Sequence, residues 1–406
     1  MKLAGRVSRI SVSQTMEVND KALQMRARGV DIVDFGAGEP DFPTPDNVKR
    51  AAVRAIESNF TRYTAIGGTP ELREAIVQSH ARLFGSNYDV GECFVNVGGK
   101  HSIFNTVSAV VDNGDDVIIP TPYWVSFADI ARYAGGRTIF ADTSEAEGFR
   151  LTAKLLEKSI TPKTRLLIAN SPSNPSGAVI DDEEFVRIAA LCRDRGIVLL
   201  SDECYSRFLY DGNKPFSLGS HPEFKDTVVV CGSLSKTYAM TGWRIGYVLG
   251  PKDLILAVQK IQSHSTSNPS SIAQKAAVEA LTGPQDSVDM MLEEYAKRRD
   301  FVVKGLNAIP GIRCMSPGGA FYAYPNISSS FKRGIKDSLD FSAQLLDKAH
   351  VAVVPGAAFG TSEHIRISYA TSIENLDRGL KRIQDFMATA GTPEGLRGDG
   401  ESRRCR

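Results

Sequence analysis

A single lysine lies between two apolar runs in the stretch Cys231-Gly232-Ser233-Leu234-Ser235-Lys236-Thr237-Tyr238-Ala239-Met240-Thr241-Gly242-Trp243-Arg244-Ile245-Gly246-Tyr247. The runs Thr227–Cys231 and Ile245–Leu249 are short and free of charge, which is typical of strands buried on both faces of a sheet. Loops that connect such strands often carry functional residues. The pattern therefore predicts a functional role for Lys236, although most lysines are ordinary surface residues.

The residues around Lys236 suit a nucleophilic amine beside a phosphate. A lysine that forms a Schiff base must lose its proton near neutral pH, and a fixed cation such as Arg244 or partial desolvation lowers its pKa. Arg244, with the hydroxyls of Ser233 and Ser235, also offers donors to a phosphate dianion. Pyridoxal 5'-phosphate (PLP) needs both features. A nucleotide-binding P-loop is excluded, because it requires glycine where Ser235 stands.

Length and composition favour a two-domain protein and give no reason to expect nucleic acid or a membrane as partner. The chain has 406 residues and a net charge of +1, and no apolar run approaches the ~20 residues of a membrane span. The first ten residues contain no apolar segment, so we expect no secretory signal. Six cysteines and six histidines are scattered without metal-ligand spacing. This distribution favours reduced thiols, no metal site and a cytoplasmic location.

Seven apolar runs predict a large α/β domain on a mostly parallel seven-stranded sheet, in which ligands bind at the carboxyl ends of strands. These runs are Phe94–Val97, Asp116–Pro120, Arg137–Ala141, Arg165–Ala169, Ile197–Ser201, Thr227–Cys231 and Ile245–Leu249. Beyond about residue 290 the pattern indicates a smaller α+β domain. We assign 46–290 to the large domain, 1–45 and 291–392 to the small domain with an N-terminal arm, and 393–406 to a disordered tail.

Polar residues stand at the ends of several of these runs. Gly99 and Lys100 open a predicted helix, whose free N–H groups can bind an anion. Trp124 follows the second strand, where it can stack on a flat ring or simply pack in the core. Asp202 ends a strongly apolar strand, and a buried carboxylate needs a cation such as a pyridinium N–H. Arg366 alternates with apolar residues, and its planar guanidinium suits a carboxylate.

The motif Ser233-x-x-Lys236 followed by Thr241-Gly242-Trp243-Arg244-Ile245-Gly246 resembles the cofactor-lysine segment of class I aminotransferases of PLP fold type I. The resemblance covers roughly residues 5 to 390 and is closest to the prokaryotic-type aspartate aminotransferases of subgroup Ib. It implies the PLP-dependent transferase fold, ping-pong transfer of an amino group, and a homodimer with shared active sites. In that dimer Tyr63 would reach the cofactor phosphate of the neighbouring subunit.

The resemblance also implies roles for individual residues. Lys236, Asp202 and Tyr205 would be catalytic: the lysine as acid and base, the aspartate as partner of the pyridine nitrogen, and the tyrosine near the 3'-oxygen. The residues implied to bind the cofactor are Tyr63, Gly99, Lys100, Trp124, Asn174, Asp202, Tyr205, Ser233, Ser235, Lys236 and Arg244. Those implied to bind substrate are Thr15, Gly38, Lys100, Trp124, Asn174 and Arg366.

Lys100 and Thr15 match positions near the distal carboxylate in the Ib enzymes, which favours aspartate or glutamate as donor and 2-oxoglutarate as acceptor. Members of the same subgroup also use prephenate, alanine or aromatic amino acids. A PLP-dependent lyase on the same fold would keep Lys236, Asp202 and Arg366, so it stays an alternative. A regulator built from an aminotransferase-like domain would need a basic DNA-binding module, and we expect none at either terminus.

Overall fold

The structure is a computed structural model that describes residues 1–11, 14–333 and 335–389, with the backbone alone for 14–20, 332 and 333. The α-helices within these ranges are α1 Gln14–Ala27, α2 Asp46–Glu57, α3 Pro70–Phe84, α4 Gly99–Val110, α5 Ser126–Ala134, α6 Ala153–Ser159, α7 Asp182–Asp194, α8 Lys252–Ser263, α9 Ser271–Thr282, α10 Asp286–Asn307, α11 Ser338–Ala349 and α12 Ile373–Thr389. None of these helices is long and apolar enough to cross a membrane.

The strands in the same ranges form one large sheet and two small ones. They are β1 Val33–Asp34, β2 Cys93–Asn96, β3 Asp116–Thr121, β4 Arg137–Asp142, β5 Thr164–Asn170, β6 Val198–Asp202, β7 Val228–Ser233, β8 Gly246–Leu249, β9 Tyr322–Ala323, β10 Val351–Ala352, β11 Val354–Pro355 and β12 Ile365–Ser368. The seven predicted strands correspond to β2 through β8, with ends that differ by at most two residues.

The large sheet has the strand order β2-β8-β7-β6-β5-β3-β4. β8 is antiparallel to both of its neighbours, and the other pairs of adjacent strands are parallel. Successive residues such as Leu199 and Leu200 are both fully buried, as expected when helices cover both faces. The predicted mostly parallel seven-stranded α/β sheet is therefore confirmed.

Strand order brings the carboxyl ends of β2, β3, β5, β6 and β7 to one edge of the sheet. The order reverses between β3 and β5, because the chain crosses from β4 back over β3 to reach β5. In open α/β sheets a crevice forms at such a reversal. Asn170, Asp202 and Ser233 are the last residues of β5, β6 and β7, so three polar residues lie at this edge of the sheet.

The two small sheets are built mainly from the last third of the chain, and one of them also includes β1 from its beginning. Val33 pairs with Val351 in the parallel pair β1-β10, and β11, β12 and β9 form an antiparallel sheet. A second buried core surrounds them and is rich in rings, including Tyr295, Phe321 and Tyr369. The division into domains at residues 45 and 290 stays a prediction, and the tail 393–406 lies outside the described residues.

Candidate active site

A cavity of about 310 Å³ opens at the carboxyl edge of the large sheet, a size suited to a small ligand. Twelve of the fourteen predicted site residues line it: Gly38, Gly99, Lys100, Trp124, Asn174, Asp202, Tyr205, Ser233, Ser235, Lys236, Arg244 and Arg366. They come from segments far apart in the chain. The edge of the large sheet and the small sheet that contains β12 therefore border the same cavity.

Of the other two predicted residues, the structure describes the side chain of Tyr63 but not that of Thr15. Tyr63 lies in the loop between α2 and α3, where its side chain is 91% exposed; it does not line the cavity of its own chain. Its predicted role belongs to a neighbouring subunit and stays a prediction. The side chain of Thr15 lies outside the described residues.

Asp202 provides a buried carboxylate at the base of the cavity. Its side chain is 6% exposed, and its Oδ1 accepts a hydrogen bond of 3.1 Å from the backbone N–H of Cys204. Within the described ranges Asp202 forms no ion pair. Burial raises its pKa to about 7, the Cys204 N–H opposes that rise, and the neighbouring Glu203 adds to it. A cation at this position would remove the cost of burying the charged form.

Lys236 lies in the loop after β7 and is half-buried. Its Nζ donates a hydrogen bond to the backbone oxygen of Gly38, which belongs to the extended segment that crosses the cavity. Burial lowers the pKa of Lys236; Cys204 and Glu39 oppose this, and the positive charges of Arg366 and Arg244 add the smallest contributions, which also lower it. Of the two causes considered from the sequence, desolvation is therefore the larger. A lysine of this kind keeps more of its free amine near neutral pH.

Arg366 on β12 is a buried guanidinium held by neutral acceptors. Its side chain is 5% exposed; Nη1 donates to Asn174 Oδ1 at 3.0 Å and Nη2 donates to the Gly36 oxygen at 2.8 Å. The Tyr322 ring lies 4.5 Å from the guanidinium carbon. Its Nε has no hydrogen-bond partner in the described part of the chain. Because a buried cation without a carboxylate is costly, this arrangement suits a ligand carboxylate.

The start of α4 forms an anion-binding corner with β7 and β8. Gly98 precedes the helix with φ +86, and a Cβ there would collide with the Arg244 guanidinium. A Cβ on Gly246 would collide with the backbone at Gly98 and Gly99, so glycines allow this close approach. Ser233 lies directly beside Gly99. Helix N–H groups, a hydroxyl and a guanidinium therefore converge, as a phosphate dianion requires.

Arg244 itself is exposed and adopts a left-handed backbone conformation, with φ 58. Its Nη1 donates to the backbone oxygen of Thr241 at 2.7 Å. Residues other than glycine rarely take this conformation, and those that do occur often at ligand clamps. The predicted grouping of Ser233, Ser235 and Arg244 on one side of the cavity is thus present in the structure.

Lys100 and Trp124 form a cation–π pair at the cavity mouth. The ammonium of Lys100 lies 4.9 Å from the centroid of the Trp124 ring, and its side chain is largely exposed. Partial burial lowers the pKa of Lys100, and Arg244 adds to the lowering. The tryptophan is half-buried against Phe127. Its ring borders the cavity and is available for stacking.

Several residues that line the cavity had no predicted role. Tyr322 is one of them, and it contacts two of the predicted site residues. Its hydroxyl lies 2.8 Å from the hydroxyl of Tyr205, and its ring stacks against Arg366. Asn170 also lines the cavity; its side chain accepts from the backbone N–H of Asn174 and donates to the backbone oxygen of Asp202. Asn170 could have been recognised as the last residue of a predicted strand, but no local motif marks Tyr322.

Comparison with known proteins gives consistent results over almost the whole chain. The family model for aminotransferase class I and II matches residues 30–383. The chain is 42% identical to an aspartate aminotransferase of Geobacillus stearothermophilus, over 95% of this chain and 99% of that one. It is 45% identical to an aspartate/prephenate aminotransferase of Nitrosomonas europaea, over 96% and 100%.

A solved structure agrees with these sequence comparisons. The aspartate aminotransferase of Thermus thermophilus with maleate superimposes with a TM-score of 0.91 at 41% identity, covering 95% of this chain and 99% of that chain. The fold, the cavity and the sequence matches therefore agree, and the chain belongs to the aminotransferase class I and II family.

Proposed function

We propose that this aminotransferase uses PLP to move the amino group of aspartate or glutamate to a 2-oxo acid such as 2-oxoglutarate. The observation that carries the proposal is one cavity with three complementary groups. Lys236 supplies an amine of lowered pKa, Asp202 a buried carboxylate without an ion-pair partner in the described residues, and Arg366 a buried guanidinium whose hydrogen bonds go to neutral oxygens.

The residues present fit PLP at both of its ends. The corner formed by Gly99, Ser233, Ser235 and Arg244 would hold the phosphate. Asp202 would pair with the pyridinium nitrogen, which gives the buried carboxylate the cation that it lacks. When bound, PLP supplies an aldehyde for the amino group and a ring that accepts the electron pair released at the substrate Cα.

The protein's own residues would then bind, orient and move protons. Arg366 would hold the substrate α-carboxylate through its planar guanidinium, and the fixed Asn174 and Gly36 oxygens would keep that guanidinium in place. Lys236 Nζ would accept the proton from the Cα of the amino donor in the first half-reaction and deliver a proton to the Cα of the new amino acid in the second. A second oxo acid would bind to the same groups, so one site serves both half-reactions.

Lys100 supports a dicarboxylic substrate. Its ammonium lies at the mouth of the same cavity that contains Arg366, so a substrate could place one carboxylate on each cation. The Thermus thermophilus relative was solved with maleate, itself a dicarboxylate. The Nitrosomonas europaea relative is an aspartate/prephenate aminotransferase, which makes prephenate the second candidate acceptor. Alanine, aromatic donors and a lyase reaction are the remaining alternatives.

We also propose a homodimer in which Tyr63 completes the neighbouring site. The ring of Tyr63 is exposed and does not line the cavity of its own chain. A phenol hydroxyl that reached the phosphate of the other subunit would add one charge-assisted hydrogen bond. The shared site would make cofactor binding depend on dimer formation.

A half-reaction survey tests the proposed function. Purified protein loaded with PLP is mixed with each amino acid in turn, while the absorbance of the bound cofactor and the formation of pyridoxamine phosphate are followed. We expect aspartate and glutamate to convert the cofactor at the lowest concentrations, with release of the matching oxo acid. Release of an eliminated group without pyridoxamine phosphate would establish the lyase alternative, and no conversion by any amino acid would contradict an aminotransferase.

A further inference from the structure

The loop of residues 58–69, here called the Tyr63 loop, joins α2 to α3 and carries the exposed Tyr63. Its last residues are fixed against β2. Gly67 accepts a hydrogen bond of 3.0 Å from the Val95 N–H, and a Cβ on Gly68 would collide with the Val95 side chain. Only glycine permits this close packing. The part of the loop nearer to Tyr63 must be held by other contacts.

Gln274, in the first turn of α9, supplies contacts of this kind. It is fully buried, which requires its amide to be paired. Its Oε1 accepts from the Thr69 N–H at 2.8 Å, and its Nε2 donates to Thr64 Oγ1 at 2.9 Å and to the Pro269 oxygen at 2.8 Å. One side chain therefore holds the residue next to Tyr63 and the far end of the same loop.

Gln262, in the last turn of α8, is also fully buried. Its Nε2 donates to the backbone oxygens of Ile66 and Val95, both at 3.0 Å. Its Oε1 accepts from Asn96 Nδ2 at 2.8 Å and from Asn105 Nδ2 at 3.2 Å. All four hydrogen-bonding positions of the amide are used. A fully paired buried amide is rigid, because any displacement leaves a polar group unpaired.

The Gln262 contacts reach the anion-binding corner. Asn96 is the last residue of β2, and its Oδ1 accepts from Ser102 Oγ at 3.1 Å in the first turn of α4. The same turn contains Gly99 and Lys100, which line the cavity. A single buried polar network thus connects the Tyr63 loop to the helix start in the same subunit.

We propose that Gln274 and Gln262 are positioning residues that fix the Tyr63 loop, and that they affect PLP binding in the neighbouring subunit through Tyr63. The inference rests on the proposed role of Tyr63 in the shared site. Among the described residues, the side chain of Gln274 forms hydrogen bonds to the loop and to Pro269, and none of these partners lines the cavity. Gln274 therefore acts through the loop. Gln262 also supports Asn96 and the start of α4, so it acts on the phosphate corner of its own subunit as well.

A double-mutant cycle on PLP affinity tests this proposal. The dissociation constant of PLP is measured by titration of the apo homodimer for the wild type, Tyr63→Phe, Gln274→Met and the double variant. We expect Tyr63→Phe to weaken binding about 10- to 100-fold. Gln274→Met should weaken binding about three- to tenfold in the wild-type background and not at all with Tyr63→Phe, because coupled residues are non-additive.

Further variants separate positioning from general destabilisation. Gln262→Met should keep part of its effect in the Tyr63→Phe background, because Asn96 loses a partner too. Gln285→Met is the matched control: this glutamine bonds to Tyr238 and to the backbone of Ala280 and Gly283, and its loss should leave PLP affinity unchanged. If Gln274→Met does not fold, Thr64→Val takes its place in the cycle, because it removes the hydrogen bond between Gln274 and Thr64.

The outcomes are distinct. If Gln274→Met weakens PLP binding equally in the wild-type and the Tyr63→Phe backgrounds, the glutamine is only structural and the inference is overturned. The same holds if Gln274→Met leaves the affinity of the wild-type background unchanged. If Tyr63→Phe alone has no effect on PLP affinity, the proposed role of Tyr63 is wrong, and the inference falls with it.

Discussion

The cavity has a buried floor and an exposed rim, and the two differ in how their charges are held. The floor consists of Asp202, Tyr205 and Arg366, each at most 6% exposed. The rim consists of Lys100 and Arg244, whose side chains are exposed. Charges interact strongly in a low dielectric and are screened in water. Substitutions at the floor should therefore affect the chemistry itself, and substitutions at the rim should adjust affinity and selectivity.

Removing the amine of Lys236, which lies between floor and rim, should cause the largest loss of activity. Lys236→Ala should reduce single-turnover transamination by about 10⁴-fold or more, because the cofactor link and the proton carrier are both lost. The protein should still fold and bind PLP non-covalently. Stopped-flow absorbance with aspartate measures the rate, and Lys100→Ala is the control that retains measurable turnover. Near wild-type turnover of Lys236→Ala would contradict the assignment.

Asp202→Ala should have the next largest effect. Removal of one partner from a buried charge pair typically costs about 3–5 kcal/mol, which corresponds to a loss of roughly 10²- to 10⁴-fold in kcat/KM if the pair acts in the transition state. Thermal unfolding of the loaded protein serves as the stability control. A variant that turns over at nearly the wild-type rate would show that Asp202 only ends a strand.

The buried Asp202 also predicts a pH-dependent stability in the apoprotein. Its pKa is about 7 in the folded state, against 3.8 for the unperturbed group. Its contribution to folding is therefore fully present below pH 4 and is lost as the pH rises through 7. Asp202→Asn should stabilise the apoprotein by about 4 kcal/mol at pH 8 and have little effect at pH 4. Urea unfolding at both pH values measures this difference, and a gain that is equal at both would contradict it.

Substitution of Lys100 at the rim should cause the smallest loss of activity, and this loss should be confined to dicarboxylic donors. If the Lys100 ammonium pairs with the distal carboxylate, Lys100→Ala should lower kcat/KM for aspartate and glutamate by about 10- to 100-fold. Alanine or an aromatic donor should be nearly unaffected, because neither makes this contact. An equal loss for both classes of donor would show that Lys100 acts only on the cofactor side, and would remove the main argument for dicarboxylic substrates.

The sequence could predict some residues of the cavity and not others. Short apolar runs predicted the strands, and the rule that ligands bind at their carboxyl ends then placed Asp202 and Ser233 at the edge where the structure has them. Tyr322 was missed because its contacts depend on the pairing of β9 with β12, which no local pattern encodes. The sequence also left open whether Arg244 or desolvation dominates the pKa of Lys236. That balance depends on burial, which only the folded structure shows.

The choice between the two lysines that line the cavity tests the account most directly. Protein loaded with PLP is reduced with borohydride, which makes the covalent link to the cofactor permanent, and is then digested and mapped by mass spectrometry. Lys236 has a half-buried amine beside the floor, whereas Lys100 has an exposed one at the rim. We predict the cofactor on the peptide that contains Lys236. Labelling of Lys100, or of any other lysine in its place, would contradict the account.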